Sequence, residues 1–248
     1  MKISIITIVF NNVNTIASCI ESVQAQNYNN IEHIVIDGES TDGTIDVIKG
    51  FENNIDVFIS EEDNGLYDAL NKGIKKATGD VIGILHSDDM FYSPHTISNV
   101  VKCMQKSGAD LLYGNGVYVE RNNTSNVKRV YSSKSFKRSY LKYGWIPLHT
   151  TIYVRSNIFD KYGDYDERYS IASDYDISLR WFLNENIKKI FLDEFLVKMR
   201  LGGKSTTLKL QKRKSSQDIR IIKEHGLPGY LTLACKIGRK IPQYLKRG

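Results

Sequence analysis

Through its first 114 residues the chain alternates short apolar runs with segments whose apolar residues recur every three or four positions, a rhythm that admits few folds. Ile3–Val9, Ile31–Ile36, Ile55–Ile59, Val81–Leu85 and Asp110–Tyr113 read as strands. Ile16, Cys19, Ile20 and Val23 mark one helix face behind a cap at Asn14 or Thr15. Thr44–Phe51 reads as a short helix; Leu66, Leu70, Gly73, Ile74 and Ala77 mark a longer one that Gly79 ends, and Ile97, Val100, Val101 and Met104 another. Apolar strands separated by helices pair in parallel between two helical layers. The expected fold is therefore α/β, with a mostly parallel central sheet flanked by helices.

After Gly114 the rhythm loosens. Arg121–Asn126 reads as a polar turn and Ser132–Tyr143 as a basic, aromatic-containing segment, followed by a strand at Thr150–Val154, a helix at Tyr175–Leu183 and a strand at Ile190–Val197. From Leu208 the pattern is helical and basic, broken at Pro228 and Pro242. Charge follows the same division: residues 1–126 hold 8 Lys and Arg against 17 Asp and Glu, whereas residues 127–248 hold 26 against 11. The acidic half suits a metal site and the basic half an anionic partner. Cys19, Cys103 and Cys235 lie far apart without CxxC spacing, which favours reduced thiols in a cytoplasmic protein over a zinc or disulfide framework. The apolar start stops at Asn11-Asn12 and reads as a strand rather than a signal peptide, and no run reaches transmembrane length.

Acidic residues gather where strands end, the edge at which open α/β sheets bind ligands. His86-Ser87-Asp88-Asp89 follows Val81–Leu85, and two adjacent carboxylates there ask for a positive partner, most simply a divalent cation. The alternative is a loop acid near a helix start, since Ser93-Pro94 follows. Asp37-Gly38-Glu39-Ser40-Thr41-Asp42-Gly43-Thr44 leaves the second strand and opens a helix; Asp42 and Thr44 read as capping residues, and Asp37 as the stronger ligand contact. Beyond the third strand, Asp68, Asn71 and Lys72 share a helix face opposite the apolar stripe, which is either ligand-facing or solvated. Asp174 reads as a helix N-cap, with Asp176 in the first turn.

Ile3–Asn12, Asp37–Thr44, Asp63–Gly73, Asp88-Asp89 and Ile171–Asp176 occur in the order found in family 2 glycosyltransferases of GT-A fold. Residues 1 to about 207 carry the resemblance, which is closest to bacterial polysaccharide-assembly transferases with DGxSTDGT and GxYDAxNKG variants. It implies a Rossmann-like donor half over 1–114, a mixed acceptor-side half over 115–207 and a basic helical tail over 208–248. It implies an inverting transferase that moves a sugar from a nucleotide-diphosphate sugar to a saccharide or lipid-linked saccharide in surface polysaccharide synthesis. Asp37 would contact the base or ribose, with the chain near Thr7, Val9 and Phe10 completing that wall, and Asp68 and Lys72 would support the donor. Asp89 would bind Mg2+ or Mn2+ at the diphosphate with Asp88 beside it, and Asp174 would be the catalytic base. His149, between the halves, would face the diphosphate, metal or acceptor.

The chain departs from the common family pattern at Gly38, His86 and Ser173, where acidic residues are usual, and it lacks the Gln-x-x-Arg-Trp signature of processive members. Single-sugar addition is the expectation. Gly202–Thr206 is expected to be a mobile donor loop; it lacks P-loop spacing. The tail suits either an anionic membrane surface, as a peripheral attachment to the inner face of the cell membrane, or equally a solvated basic helix packed on the domain, and no nucleic-acid motif accompanies its charge. Without the resemblance, the acidic rim also fits a metal-dependent nucleotidyl- or phosphotransferase, or a non-catalytic sugar-nucleotide-binding protein.

Overall fold

A computed structural model describes residues 1–202, 208–239 and 243, with no side-chain description at 208 and 209. The sequence features at 203–207, Lys240, Ile241, Pro242 and 244–248, and the side chain of Lys209, lie outside the described residues. The β-strands are β1 (Ile3–Val9), β2 (Ile31–Asp37), β3 (Val57–Ser60), β4 (Val81–Ile84), β5 (Asp89–Phe91), β6 (Leu111–Glu120), β7 (Asn123–Tyr131), β8 (Tyr153–Arg155) and β9 (Lys189–Arg200). The α-helices are α1 (Ile16–Gln24), α2 (Thr44–Lys49), α3 (Leu66–Lys76), α4 (Thr96–Ser107), α5 (Ser139–Lys142), α6 (Ser156–Tyr162), α7 (Ser173–Leu183), α8 (Leu208–Glu224) and α9 (Gly229–Gly238).

The strands form one sheet in the order β3-β2-β1-β4-β8-β6-β9-β5, with β7 outside this path on β6. β1 pairs in parallel with β2 and β4, β2 with β3, and β6 with β9. β8 runs antiparallel to both β4 and β6, so β6 and β9 point the same way as β1–β4, and only β5, β7 and β8 oppose them. The register aligns Val9, Asp37 and Ser60 across three strands, so the loops after β1, β2 and β3 leave the same edge. Leu85 continues beside Ile6 through a main-chain hydrogen bond of 3.0 Å, which delivers His86–Asp89 to that edge too.

The fully apolar positions of β1, β2 and β4 are buried from both sides, as the absence of polar alternation predicts. Elsewhere the structure moves boundaries. Thr15 does precede α1, but its hydroxyl donates to the Ser87 carbonyl rather than capping the helix. α2 stops at Lys49, before the residues through Phe51 that its pattern predicts. β3 begins at Val57 because a short 3-10 turn occupies Glu52–Asn54, and Asp56 accepts a hydrogen bond from the His33 N–H. α3 stops at Lys76, since Ala77 is extended; Gly79 instead lies so close to Ser4 and the Lys2 carbonyl that no side chain fits.

The largest differences are strands without a sequence signal. Arg121–Asn126 is no isolated turn but the tip and start of the β6–β7 hairpin, whose outer strand is mostly half-buried, with one buried residue, and so carries no apolar period. β6 itself runs unbroken through Gly114. Asp89–Phe91 forms the three-residue β5, paired with the far end of β9.

α8 and α9 fold back onto the sheet domain. Ile221 and Ile222 are wholly buried in the same core cluster as Tyr169, Ala172 and Tyr175. Ile222→Ala should therefore cost about 2–5 kcal/mol of global stability, read by denaturant unfolding. If the C-terminal helices were loosely attached, the main transition would not move.

Candidate functional site

The loops after β1 and β2 are stitched together at the sheet edge. Asn11 N–H donates to Ser40 Oγ at 2.8 Å, Thr41 N–H to Asn11 Oδ1 at 2.8 Å, and Asn12 N–H to Thr44 Oγ1 at 2.9 Å. Asn11 and Glu39 hold positive φ of 48° and 58°, sparsely occupied by residues other than glycine, so local backbone cost concentrates at this rim. Asp42 ties the turn as expected, accepting from the Thr44 N–H at 3.0 Å and the Val13 N–H at 3.1 Å.

Asp37 is placed differently from a ligand-facing acid. Its wholly buried carboxylate accepts from Ser40 N–H at 3.0 Å, from the Ser40 hydroxyl, and from the Ser60 hydroxyl at 2.7 Å. It shapes the wall rather than lying open to the cleft. Thr7 is also wholly buried, 3.0 Å from His33 Nε2, and the Val9 carbonyl accepts from Gly38 N–H at 3.0 Å. What does reach this wall is Asp63: a side chain at Gly38 would run into the Asp63 carboxylate and approach Phe10 within 3.5 Å. A carboxylate from the loop after β3 thus lies against Gly38, and the half-exposed Phe10 ring lies beside it.

On α3, Lys72 donates to the Glu62 carbonyl at 2.7 Å and pairs with Glu61 at 3.0 Å and Asp68 at 3.3 Å. Burial opposes its charge slightly, but Glu61 and Asp68 outweigh this and raise its pKa. Asp68 accepts the Asn64 N–H at 2.9 Å, the leading cause of its lowered pKa, with Lys72 adding to it. Both therefore brace the loop that presents Asp63. Asn71 leaves the polar face expected of it: it is buried, exchanging hydrogen bonds of 3.0 Å with the main chain of Tyr165.

The next part of the rim is the turn His86–Asp89, closed by an Asp89 N–H bond to the His86 carbonyl at 2.8 Å. Asp88 is partly exposed, 4.0 Å from Arg121. Asp89 is only 1% exposed and its Oδ2 has no hydrogen-bond partner. Burial, then the neighbouring Asp88, push its pKa well above the usual carboxylate range, opposed by Arg200. Arg200, at the end of β9, donates to the Asp88 carbonyl at 2.8 Å and to Ser18 Oγ at 2.9 Å. Among the described residues no three His, Cys, Asp or Glu side chains form a group that could hold a metal. The orphaned Asp89 oxygen and the adjacent Asp88 nonetheless suit a hard cation such as Mg2+, which needs only one or two carboxylates when water and phosphate oxygens complete its shell.

Across the cleft, His149 Nε2 lies 2.6 Å from the Tyr165 hydroxyl, and its ring is 6.0 Å from that of His86. Tyr165 stacks on Tyr67 at 5.6 Å, and the Tyr67 hydroxyl donates to Asp174 Oδ1 at 3.1 Å. Asp174 is the second residue of α7 rather than its cap, which is Ala172. Burial raises its pKa, but Lys214, His149, Lys236 and the Tyr67 hydroxyl together hold it below the usual range. Burial lowers the His86 pKa, while Asp88 and Asp174 both pull it up, so the two acidic ends of the cleft act on one imidazole.

The C-terminal helices set the first turn of α7. Asp176 is buried between Arg180 at 3.0 Å and His225 at 2.9 Å, and Lys236 pairs with Asp218 at 2.7 Å while lying 3.3 Å from the centroid of the Tyr175 ring. Tyr67, Asp63 and Arg200 had no assigned role in the sequence, and Lys214 and Lys236 were read only as part of the basic tail, whereas both act on Asp174 and Lys236 is turned inward. Tyr67 adjoins Asp68 in a recognised motif and Asp63 stands beside the unusual Gly38, so those two carried a signal; Arg200 did not.

The profile of the family described as Glycosyl transferase family 2 matches residues 4–191. An uncharacterized glycosyltransferase of Mycobacterium tuberculosis is 35% identical over 181 residues, which span 72% of this chain and 68% of that protein. Among solved structures, Staphylococcus aureus TarS 1-349 in complex with UDP-GlcNAc superposes with a TM-score of 0.68 at 17% identity, covering 95% of this chain and 69% of that one. The mannosyltransferase PcManGT of Pyrobaculum calidifontis, in complex with GDP-Man and Mn2+, gives 0.69 at 16% identity, covering 98% and 73%.

The Thr7–His33 pair generates a pH prediction. Burial lowers the His33 pKa to about 4. A depressed histidine contributes stability that is present above its unfolded pKa, near 6.5, and is lost as pH falls through the folded value. Chemical denaturation between pH 7 and about 4 should show this loss, at most about 1.4 kcal/mol per pH unit from this group, and His33→Gln should flatten the slope.

Proposed function

The chain belongs to glycosyl transferase family 2, and from that premise we propose that it moves one sugar from a nucleotide-diphosphate sugar to a hydroxyl of a saccharide or lipid-linked saccharide, with inversion. The observation that carries the reading is Asp174: a carboxylate hydrogen-bonded by Tyr67, with Lys214 and Lys236 lowering its pKa, acting together with Asp88 on His86. A phosphotransferase or a binding protein would need the acidic turn but not this opposing base.

In the proposed reaction Asp174 takes the proton of the acceptor hydroxyl as that oxygen attacks the anomeric carbon from the face opposite the diphosphate. The bond from the anomeric carbon to the diphosphate oxygen breaks as the new one forms. Tyr67 keeps the carboxylate aimed, and Tyr165 keeps Tyr67 in place by stacking. At the donor wall, Asp63 and the Phe10 ring are assigned to the nucleoside, with Asp37 holding the turn behind them and Asp68 and Lys72 bracing its loop. His149 and His86 line the floor between donor and acceptor.

Asp89, assisted by Asp88, would hold Mg2+ or Mn2+. Such an ion supplies Lewis-acid neutralisation of the leaving diphosphate. The Mn2+ in PcManGT, a protein of the same fold, supports this assignment. Arg200 sets the main chain and charge of the same turn. Addition of a single sugar follows from the missing Gln-x-x-Arg-Trp signature, and a bacterial surface-polysaccharide pathway in the cytoplasm from the resemblance of the whole motif set. Residues 1–114 are assigned to the donor and 115–207 to the acceptor side.

Asp174→Asn should lower transfer about 10²–10⁴-fold, the usual range for a lost general base, while nucleotide-sugars still raise its melting temperature. A fully active variant would overturn the assignment. Asp89→Asn should melt higher than the native protein in the absence of ligand, because it removes a buried carboxylate oxygen without a partner. The same variant should lose the extra thermal shift that Mn2+ adds to a nucleotide-sugar; retention of that shift would place the metal elsewhere.

A further inference from the structure

We propose that the outward face of α9 seats the protein on an anionic lipid surface. Among the described residues, the four most exposed large hydrophobic side chains are Tyr230 at 75%, Leu231 at 55%, and Tyr143 and Ile237 at 51% each. Three of them lie on α9, with Ala234 exposed between them at helical spacing. Tyr143 joins the patch because Arg239, at the end of α9, donates to its carbonyl at 2.9 Å. The opposite side of α9 is committed inward: the buried Thr232 donates to the Lys142 carbonyl at 2.8 Å, and Lys236 reaches Asp218. The apolar face is therefore a designed second side of a docked helix.

Charge selects the partner. Lys223 lies 5.4 Å from the Tyr230 ring centroid and Arg239 binds the Tyr143 carbonyl, so the described charges at the patch are basic, in a sequence segment, 204–248, with 12 Lys and Arg against 2 Asp and Glu. Tyrosine at the edge of an aliphatic patch flanked by lysine and arginine is the chemistry of a helix lying in a lipid headgroup layer. Four side chains on a ten-residue helix fall short of the roughly 800 Å² per partner that a stable protein interface buries, whereas shallow insertion with charge attraction needs no such area. No helix among the described residues is long and apolar enough to cross a membrane, so attachment through α9 is peripheral.

The placement has a consequence for the cleft. The inner face of α9 touches Tyr175, next to Asp174, so about one helix diameter, roughly 10 Å, separates the lipid-facing side from the acceptor end. On the glycosyl-transfer reading above, which this step alone rests on, a lipid-linked acceptor would present its sugar to Asp174 without leaving the membrane.

The test uses the full chain and sedimentation with vesicles of phosphatidylcholine alone or mixed with phosphatidylglycerol, without donor. Binding should require phosphatidylglycerol and weaken with salt. The double variant L231E/I237E should lower the bound fraction at least about tenfold while melting like the native protein, and Tyr230→Asp should act the same way on a single position. Undiminished binding by both folded variants, or no binding of the native protein to anionic vesicles, would overturn the proposal. So would a native dimer in solution that L231E/I237E converts to monomer, which would make the face a contact between copies. A melting shift with nucleotide-sugars, measured in parallel, reports on the transferase reading independently.

Discussion

Parallel pairing around β1 is the constraint from which the site follows. Because β2 and β4 both run alongside β1, and β3 alongside β2, four successive loops are forced out of the sheet on one edge. Main-chain hydrogen bonding thereby decides that Phe10, Asp63 and Asp88, separated by dozens of residues, belong to one rim. The buried Asp37 carboxylate converts that arrangement into a rigid wall, joining Ser40 in its own turn to Ser60 on β3. A charged group at a strand end is stable there because its oxygens are met by hydroxyl and amide donors.

The cleft has a second side only because chain far downstream returns to it. β9 carries Arg200 to the Asp88 turn, and α8 and α9 carry Lys214 and Lys236 towards α7. The uneven charge distribution acquires a physical meaning here: part of the positive excess of the second half lowers the pKa of Asp174, and part of it rims an apolar helix face. One segment thus serves electrostatics inward and surface chemistry outward.

Legibility in the sequence followed burial. β1, β2, β4 and the apolar stripes of α1, α3 and α4 were readable because burial on both faces or on one stripe leaves a period. β5 and β7 were not, since three residues hold no period and a half-buried edge strand has no need of one. Among candidate site residues, Asp174 and the Asp88-Asp89 turn stood out through the motif resemblance, and in the fold Asp88 and Asp174 both act on His86. The roles of Asp37, Asp68 and Lys72 were harder to read, because a carboxylate that braces a loop and one that grips a ligand have the same sequence. Only their filled hydrogen-bond partners separate the two.

Gly38 and Asp63 share one small volume on the rim. The position that usually bears an acid is empty of side chain, and a carboxylate from the neighbouring loop occupies the space. Restoring an acid at 38 while Asp63 remains would crowd two negative groups into one volume, whereas exchanging both relieves the collision. The two positions are therefore coupled by sterics: a side chain at 38 fits only where the one at 63 shortens or turns away.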